Sequence, residues 1–129
     1  MKQSASIWIV DDDEDVRFGL QSFLRSAGCA VRTFESAEAC LWALDEAAPD
    51  LLLTDLHMPG MDGLALQEHL NGMGRQFPVI VMTAFPTREA EERSARLGAR
   101  VFLTKPIDPE QLLAQVESSL GGCDESKPG

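Results

Sequence analysis

Short apolar runs alternate along this chain with longer segments in which apolar residues return every three or four positions. Five runs read as strands: residues 7–10, 30–34, 51–54, 79–82 and 100–104. Several are apolar at nearly every position, the pattern of strands covered on both faces in a parallel sheet. The segments between them carry helical stripes. Val16, Leu20, Phe23, Leu24 and Ala27 share one face of a first helix. Ser36 caps a second bearing Ala37, Cys40, Leu41 and Leu44, with Pro49 marking the exit. A third spans about 63–70 with Leu64, Leu66 and Leu70, before Gly72 and Gly74 break it. The fourth, about 87–97, is poor in large apolar residues, and Ala90, Ala95 and Leu97 are most of its predicted buried face. The last starts with Asp108 as N-cap, Pro109 at the first helical position and Gln111 completing a capping box. Its stripe is Leu112, Leu113, Val116 and Leu120.

Five strand-then-helix repeats with short connections predict an α/β fold, a doubly wound parallel sheet with helices on both faces. In such folds ligands sit at the carboxyl ends of the strands. After Leu120 the composition turns to Gly, Ser, Pro and charge, so residues 1–120 read as one domain and 121–129 as a flexible tail or the start of a linker.

The 129 residues hold 21 acidic and 11 basic side chains, a formal charge of −10. That balance argues against direct contact with nucleic acid or an anionic membrane. No apolar run approaches the roughly 18–20 residues of a membrane span, and the N-terminus has no signal-peptide core. Cys29, Cys40 and Cys123 are an odd number without metal-ligand spacing, which fits free thiols in a reducing, cytoplasmic setting.

Chemistry is concentrated after the strands. The first strand runs into five consecutive carboxylates, Asp11 to Asp15. The helix dipole accounts for Asp13, Glu14 and Asp15 at a helix start. Asp11 and Asp12 lie at the strand edge, where two carboxylates repel unless a cation sits between them. The third strand ends in Asp55, the fourth in Thr83 and the fifth in Lys105. Read singly, each has a plainer role as turn former, capping hydroxyl or surface cation. Lys105 is the only lysine outside the terminal tails of a chain that otherwise uses eight arginines, which suits a compact ammonium in a confined site. Together the strand ends carry net −2, which one divalent cation neutralises, and hard oxygen ligands favour Mg²⁺. His57 and His69 lack the spacing of a zinc pair, and no Gly-rich phosphate loop is present. A cation beside a carboxylate, a hydroxyl and an ammonium is what phosphoryl transfer to an aspartate requires.

The motifs Ile9-Val10-Asp11-Asp12, Asp55 through Gly63, Val81-Met82-Thr83-Ala84, Gly98-Ala99 and Lys105-Pro106 stand in order along residues 5–120. In this the chain resembles the receiver domain of two-component response regulators. The resemblance implies a flavodoxin-like (βα)₅ fold with strand order 2-1-3-4-5. It makes Asp55 the phosphoacceptor, taking a phosphoryl group from the phosphohistidine of a sensor histidine kinase. Asp12, Asp55 and the backbone carbonyl of His57 would ligate Mg²⁺, with Mn²⁺ as a substitute, and Asp11 would act through bound water. Thr83 and Lys105 would hold the phosphoryl oxygens, Lys105-Pro106 would be cis, and Thr83 with Phe102 would form the conformational switch. His57 and Phe85 stand where the family tunes the lifetime of the phosphorylated state, with Phe85 expected to shield it from water.

The resemblance further implies a signalling switch rather than an enzyme, although one that promotes its own aspartyl phosphorylation and dephosphorylation. The wording of the motifs is similar to receivers that regulate transcription, with an output domain or downstream protein as partner and a phosphorylation-dependent homodimer as an option. Three alternatives stay open: a stand-alone receiver acting by protein contact, a degenerate receiver that only binds partners, and a Mg²⁺-dependent phosphohydrolase with Asp55 as nucleophile. The last resembles haloacid-dehalogenase-type enzymes, which carry a second aspartate two residues on, where this chain has His57.

Overall fold

A computed structural model describes residues 4–120; the tail expected at 121–129 and Cys123 lie outside the described residues. Five strands and five helices alternate: β1 Ser6–Val10, α1 Glu14–Ser26, β2 Ala30–Phe34, α2 Ala37–Ala43, β3 Leu51–Asp55, α3 Gly63–Gly72, β4 Val79–Thr83, α4 Arg88–Arg96, β5 Ala99–Thr104 and α5 Pro109–Leu120. The strands form one parallel sheet in the order β2-β1-β3-β4-β5, the flavodoxin-like arrangement that the resemblance implies.

The apolar runs are continuous because both faces are covered. Trp8, Val10, Leu52, Val79 and Val81 point to one side and pack with Cys40 of α2 and with Leu66 and Leu70 of α3. Ile7, Ile9, Leu51, Leu53, Ile80 and Met82 point to the other and meet Leu20 and Leu24 of α1 and Leu112 and Val116 of α5. Full burial of each such leucine stabilises by about 2 kcal/mol.

The helix starts follow the capping residues. The side chains of Asp13, Ser36, Asp62 and Thr87 each accept from backbone N–H groups in the first turn of α1, α2, α3 and α4. Asp108 does so at the start of α5, taking Glu110 N at 3.0 Å. Among the described residues Gln111 makes no reciprocal side-chain bond, so the predicted capping box is a one-sided cap. The second helix ends at Ala43, well before Pro49, and the third runs on to Gly72.

The face predicted for α4 differs most. Ala95 is exposed, Ala90 and Leu97 are half-buried, and the one fully buried residue is polar, Ser94. Apolar periodicity has no means of selecting a serine, so this contact was invisible to it.

Candidate functional site

Parallel strands deliver their last residues to one edge of the sheet. β1 leads to Asp11, whose N–H bonds Phe34 O of β2 at 3.1 Å. Asp55 and Thr83 are the final residues of β3 and β4 rather than residues following them. Lys105 follows β5 and is tied back by its own N–H to Thr83 O at 2.8 Å. The edge therefore gathers the four side chains that the sequence places at strand ends.

Asp11 and Asp55 are buried while Asp12 is exposed, and one ligand atom from each of the three lies within 4.8 Å of the others. Lys105 Nζ binds Asp11 Oδ2 at 2.8 Å and Asp55 Oδ1 at 3.1 Å. Asp12 joins none of the ion pairs among the described residues. The remaining Asp11 oxygen accepts from Asp13 N at 2.9 Å, and the Asp11 carbonyl takes Arg17 Nη1 at 2.7 Å. Asp11 is thus fixed on three sides.

Burial pushes the Asp55 carboxyl above its ordinary range, the Asp11 charge adds to this, Lys105 opposes it, and Asp12 contributes a smaller upward push. Burial also works against the charge on Lys105. Its hydrogen bonds to Asp11 and Asp55 and their negative charges together outweigh that, and hold the ammonium above its usual value. One ammonium for three carboxylates leaves the edge with an excess of negative charge.

Two loops frame the edge. The loop after β3 returns to α3 through Gly63, whose N–H bonds Leu56 O at 2.8 Å. A Cβ on Gly63 would lie 2.5 Å from Asp55 O, so only glycine lets α3 start this close. Across the mouth, the exposed ring of Phe85 meets His57 edge-on with centroids 6.0 Å apart. Thr83 is fully buried and its Oγ1 accepts from Phe85 N at 3.0 Å. Phe102, half-buried on β5 beside Val81, packs against the core next to β4. Lys105-Pro106 is cis, as expected.

The structure thus brings Asp11, Asp12, Asp55 and Lys105 together, sets Thr83 at the same edge, and places His57 and Phe85 at its mouth. Sequence reading missed Arg17. Its spacing of six from Asp11 on the first helical turns was the available signal, masked by the run of five carboxylates from Asp11 into the start of α1.

Residues 7–117 match the response regulator receiver domain. The chain is 38% identical over 125 residues to the DNA-binding transcriptional regulator NtrC of Salmonella typhimurium, covering 97% of this chain and 27% of that protein. It is 39% identical over 121 residues to the transcriptional regulatory protein FixJ of Azorhizobium caulinodans, covering 94% of this chain and 57% of the relative. The chain therefore spans between about a quarter and somewhat over half of the length of these curated relatives. The crystal structure of FixJ-N superposes with a TM-score of 0.85 at 30% identity, over 99% of this chain and 100% of that one. With fold, strand-end residues and family match over 7–117 in agreement, the chain belongs to the response regulator receiver domains.

Proposed function

We propose that Asp55 accepts a phosphoryl group from the phosphohistidine of a sensor histidine kinase, and that the aspartyl phosphate sets the signalling state. The observation that carries this is Asp55 itself, a buried carboxylate at a strand end with Lys105 Nζ at 3.1 Å and two further carboxylates within 4.8 Å. The donor set fits Mg²⁺: three hard carboxylate oxygens with net −2 after Lys105 is counted. Asp12, Asp55 and the His57 carbonyl would hold the ion directly and Asp11 through water, with Mn²⁺ as a substitute. When bound, the ion offsets negative charge on the phosphoryl oxygens.

The chain's own groups do the rest. An Asp55 oxygen attacks phosphorus in line as the phosphorus–nitrogen bond of the donor breaks and the imidazole leaves. Lys105 transfers a hydrogen bond from Asp55 Oδ1 to a phosphoryl oxygen. Thr83, whose hydroxyl now accepts from Phe85 N, has its proton free to donate to that group. Moving Thr83 opens space beside Phe102, so one local bond biases a packing alternative. The pairing of Phe85 with His57 supports a cover over the acyl phosphate, and Phe85→Ser should speed its decay. A groove of about 550 Å³ between α1 and the β5–α5 loop, lined by Val16, Leu20, Phe23, Pro106 and Ile107 with Lys105 beside it, suits a donor helix arriving at this edge.

The likeness to NtrC and FixJ supports a transcriptional output carried outside this domain, dimerisation is one route to it, and the net charge of −10 argues against nucleic-acid contact by the receiver itself. Incubation with Mg²⁺ and acetyl phosphate tests the central claim. The expected product is one acid-stable, base-labile phosphoryl group per chain, absent in Asp55→Asn. No adduct, or an adduct that survives Asp55→Asn, would reject it.

A further inference from the structure

The helix α4 is attached unequally at its two ends. Its last carbonyls have no partner within the helix; Gly98 N, one candidate donor for Ser94 O, bonds Ala95 O instead. Side chains of α3 fill the gap. Gln67 Nε2 donates to Ser94 O at 3.1 Å, and Ser94 Oγ donates back to Gln67 Oε1 at 3.2 Å, both residues fully buried. One turn further on, Asn71 Nδ2 donates to Leu97 O at 2.9 Å. Arg75, just past α3, adds a longer bond to the same carbonyl at 3.4 Å and bonds Asn71 Oδ1 at 3.1 Å and Phe77 O at 2.6 Å. Gly98 leaves room for it, since a Cβ there would lie 2.5 Å from Arg75 Nη2.

The other end is bare by comparison. Residues 84–89 are exposed, and α4 starts with its own Thr87 cap. Among the described residues no side chain of α3 hydrogen-bonds residues 84–92. Ala90 is the apolar residue of this half that reaches the core, against the same cluster as Phe102. This end continues directly from Thr83.

We infer that Gln67, Asn71 and Arg75 form a clamp that makes the C-terminal end of α4 a fixed pivot, so that rearrangement at Thr83 swings the N-terminal half of the helix. Directional bonds suit a pivot because they fix position where apolar contacts would permit sliding. The reciprocal amide–hydroxyl pair is high-stakes when buried, since breaking one side leaves the other unsatisfied. Use of the pivot in signalling rests on the phosphoacceptor reading; the clamp itself does not.

Backbone-resolved hydrogen exchange on the full 129-residue protein separates the two. Without any phosphodonor, amides of residues 95–98 should exchange at least about tenfold more slowly than those of 91–93. In Gln67→Leu/Ser94→Ala, which removes both partners together, that ratio should fall to near one. Asn71→Ala, a change at an exposed side chain, should lower it part of the way. A ratio near one in the unaltered protein, or one that survives the double substitution, overturns the clamp. Beryllofluoride with Mg²⁺, which mimics an aspartyl phosphate, should then move amide resonances of residues 84–92 and leave the Gln67 side-chain amide in place. Equal movement of both overturns the pivot. If beryllofluoride moves nothing, the phosphoacceptor reading fails, while the exchange ratios still decide the clamp.

Discussion

Lys105 stands at the centre of the site's electrostatics, because its ammonium already occupies the place between Asp11 and Asp55 that an arriving cation would share. Replacing it with methionine removes one positive charge a few ångströms from the carboxylates. Even at the high dielectric of a water-lined edge this is worth about 1 kcal/mol per unit charge at ~4 Å. For a divalent ion that is about 2 kcal/mol, so Lys105→Met should bind Mg²⁺ roughly thirtyfold more tightly by calorimetric titration, while phosphorylation of Asp55 by acetyl phosphate falls sharply. Tighter binding with slower transfer would separate charge neutralisation of the ground state from stabilisation of the transferring group. Unchanged Mg²⁺ affinity would show that the ammonium and the ion do not compete. A second residue-scale expectation concerns Cys40, a free thiol fully buried between α2 and the sheet. Burial pushes its pKa up to about 12, against a smaller lowering by Arg32. At pH 8 the thiolate is therefore scarce as well as shielded. Native protein should leave Cys40 unlabelled by a thiol reagent on the timescale in which Cys29, only half-buried, reacts.

At the scale of elements, two helical glycines separate conformational freedom from steric need. Gly19 lies inside α1 with open space where a Cβ would go. Gly19→Ala should raise stability by about 0.5–1 kcal/mol in denaturant titration, the usual helix-propensity gain. Gly63 begins α3 with its Cβ position 2.5 Å from Asp55 O and 2.9 Å from Leu56 Cα. Both neighbours are backbone and cannot turn aside, so Gly63→Ala should cost more than about 3 kcal/mol, or displace the loop that carries Asp55 and His57. The same contrast explains what was legible in the sequence. The strands were readable because both faces of the sheet demand apolar residues, which leaves unbroken runs such as 79–82. The site was readable because parallel strands send their ends to one edge, so Asp11, Asp55, Thr83 and Lys105 could be grouped without knowing the register. The attachment of α4 was not, because Gln67 and Ser94 are polar residues that stabilise by pairing 27 positions apart. Nor was the side-chain geometry at Lys105: spacing names the charges that meet but not which oxygen each one takes.

For the whole molecule, the excess of acid acts on two ranges that one pair of titrations can separate. Net −10 over a domain of this size is diffuse self-repulsion, and added monovalent salt screens charges farther apart than roughly 10 Å at 0.1 M. Stability measured at low ionic strength should therefore rise with NaCl in the unaltered protein and in any variant that keeps the surface charge. The cluster of Asp11, Asp12 and Asp55 is local, with ligand atoms inside 4.8 Å, and it should respond to a divalent ion far beyond screening. A ligand that binds only the folded chain adds RT ln(1 + [L]/Kd), about 2.7 kcal/mol at a hundred times Kd. Asp12 offers the cleanest discrimination, since it is exposed, joins no ion pair among the described residues, and so can lose its charge at little cost to packing. Asp12→Asn should keep the NaCl increment and lose most of the Mg²⁺ increment in thermal melts at matched ionic strength. Equal Mg²⁺ increments in the two proteins would make the acidic edge part of the general surface charge. It would then lose its claim to bind a metal, and the phosphoryl chemistry assigned to Asp55 would have to proceed with Lys105 as its only counter-charge.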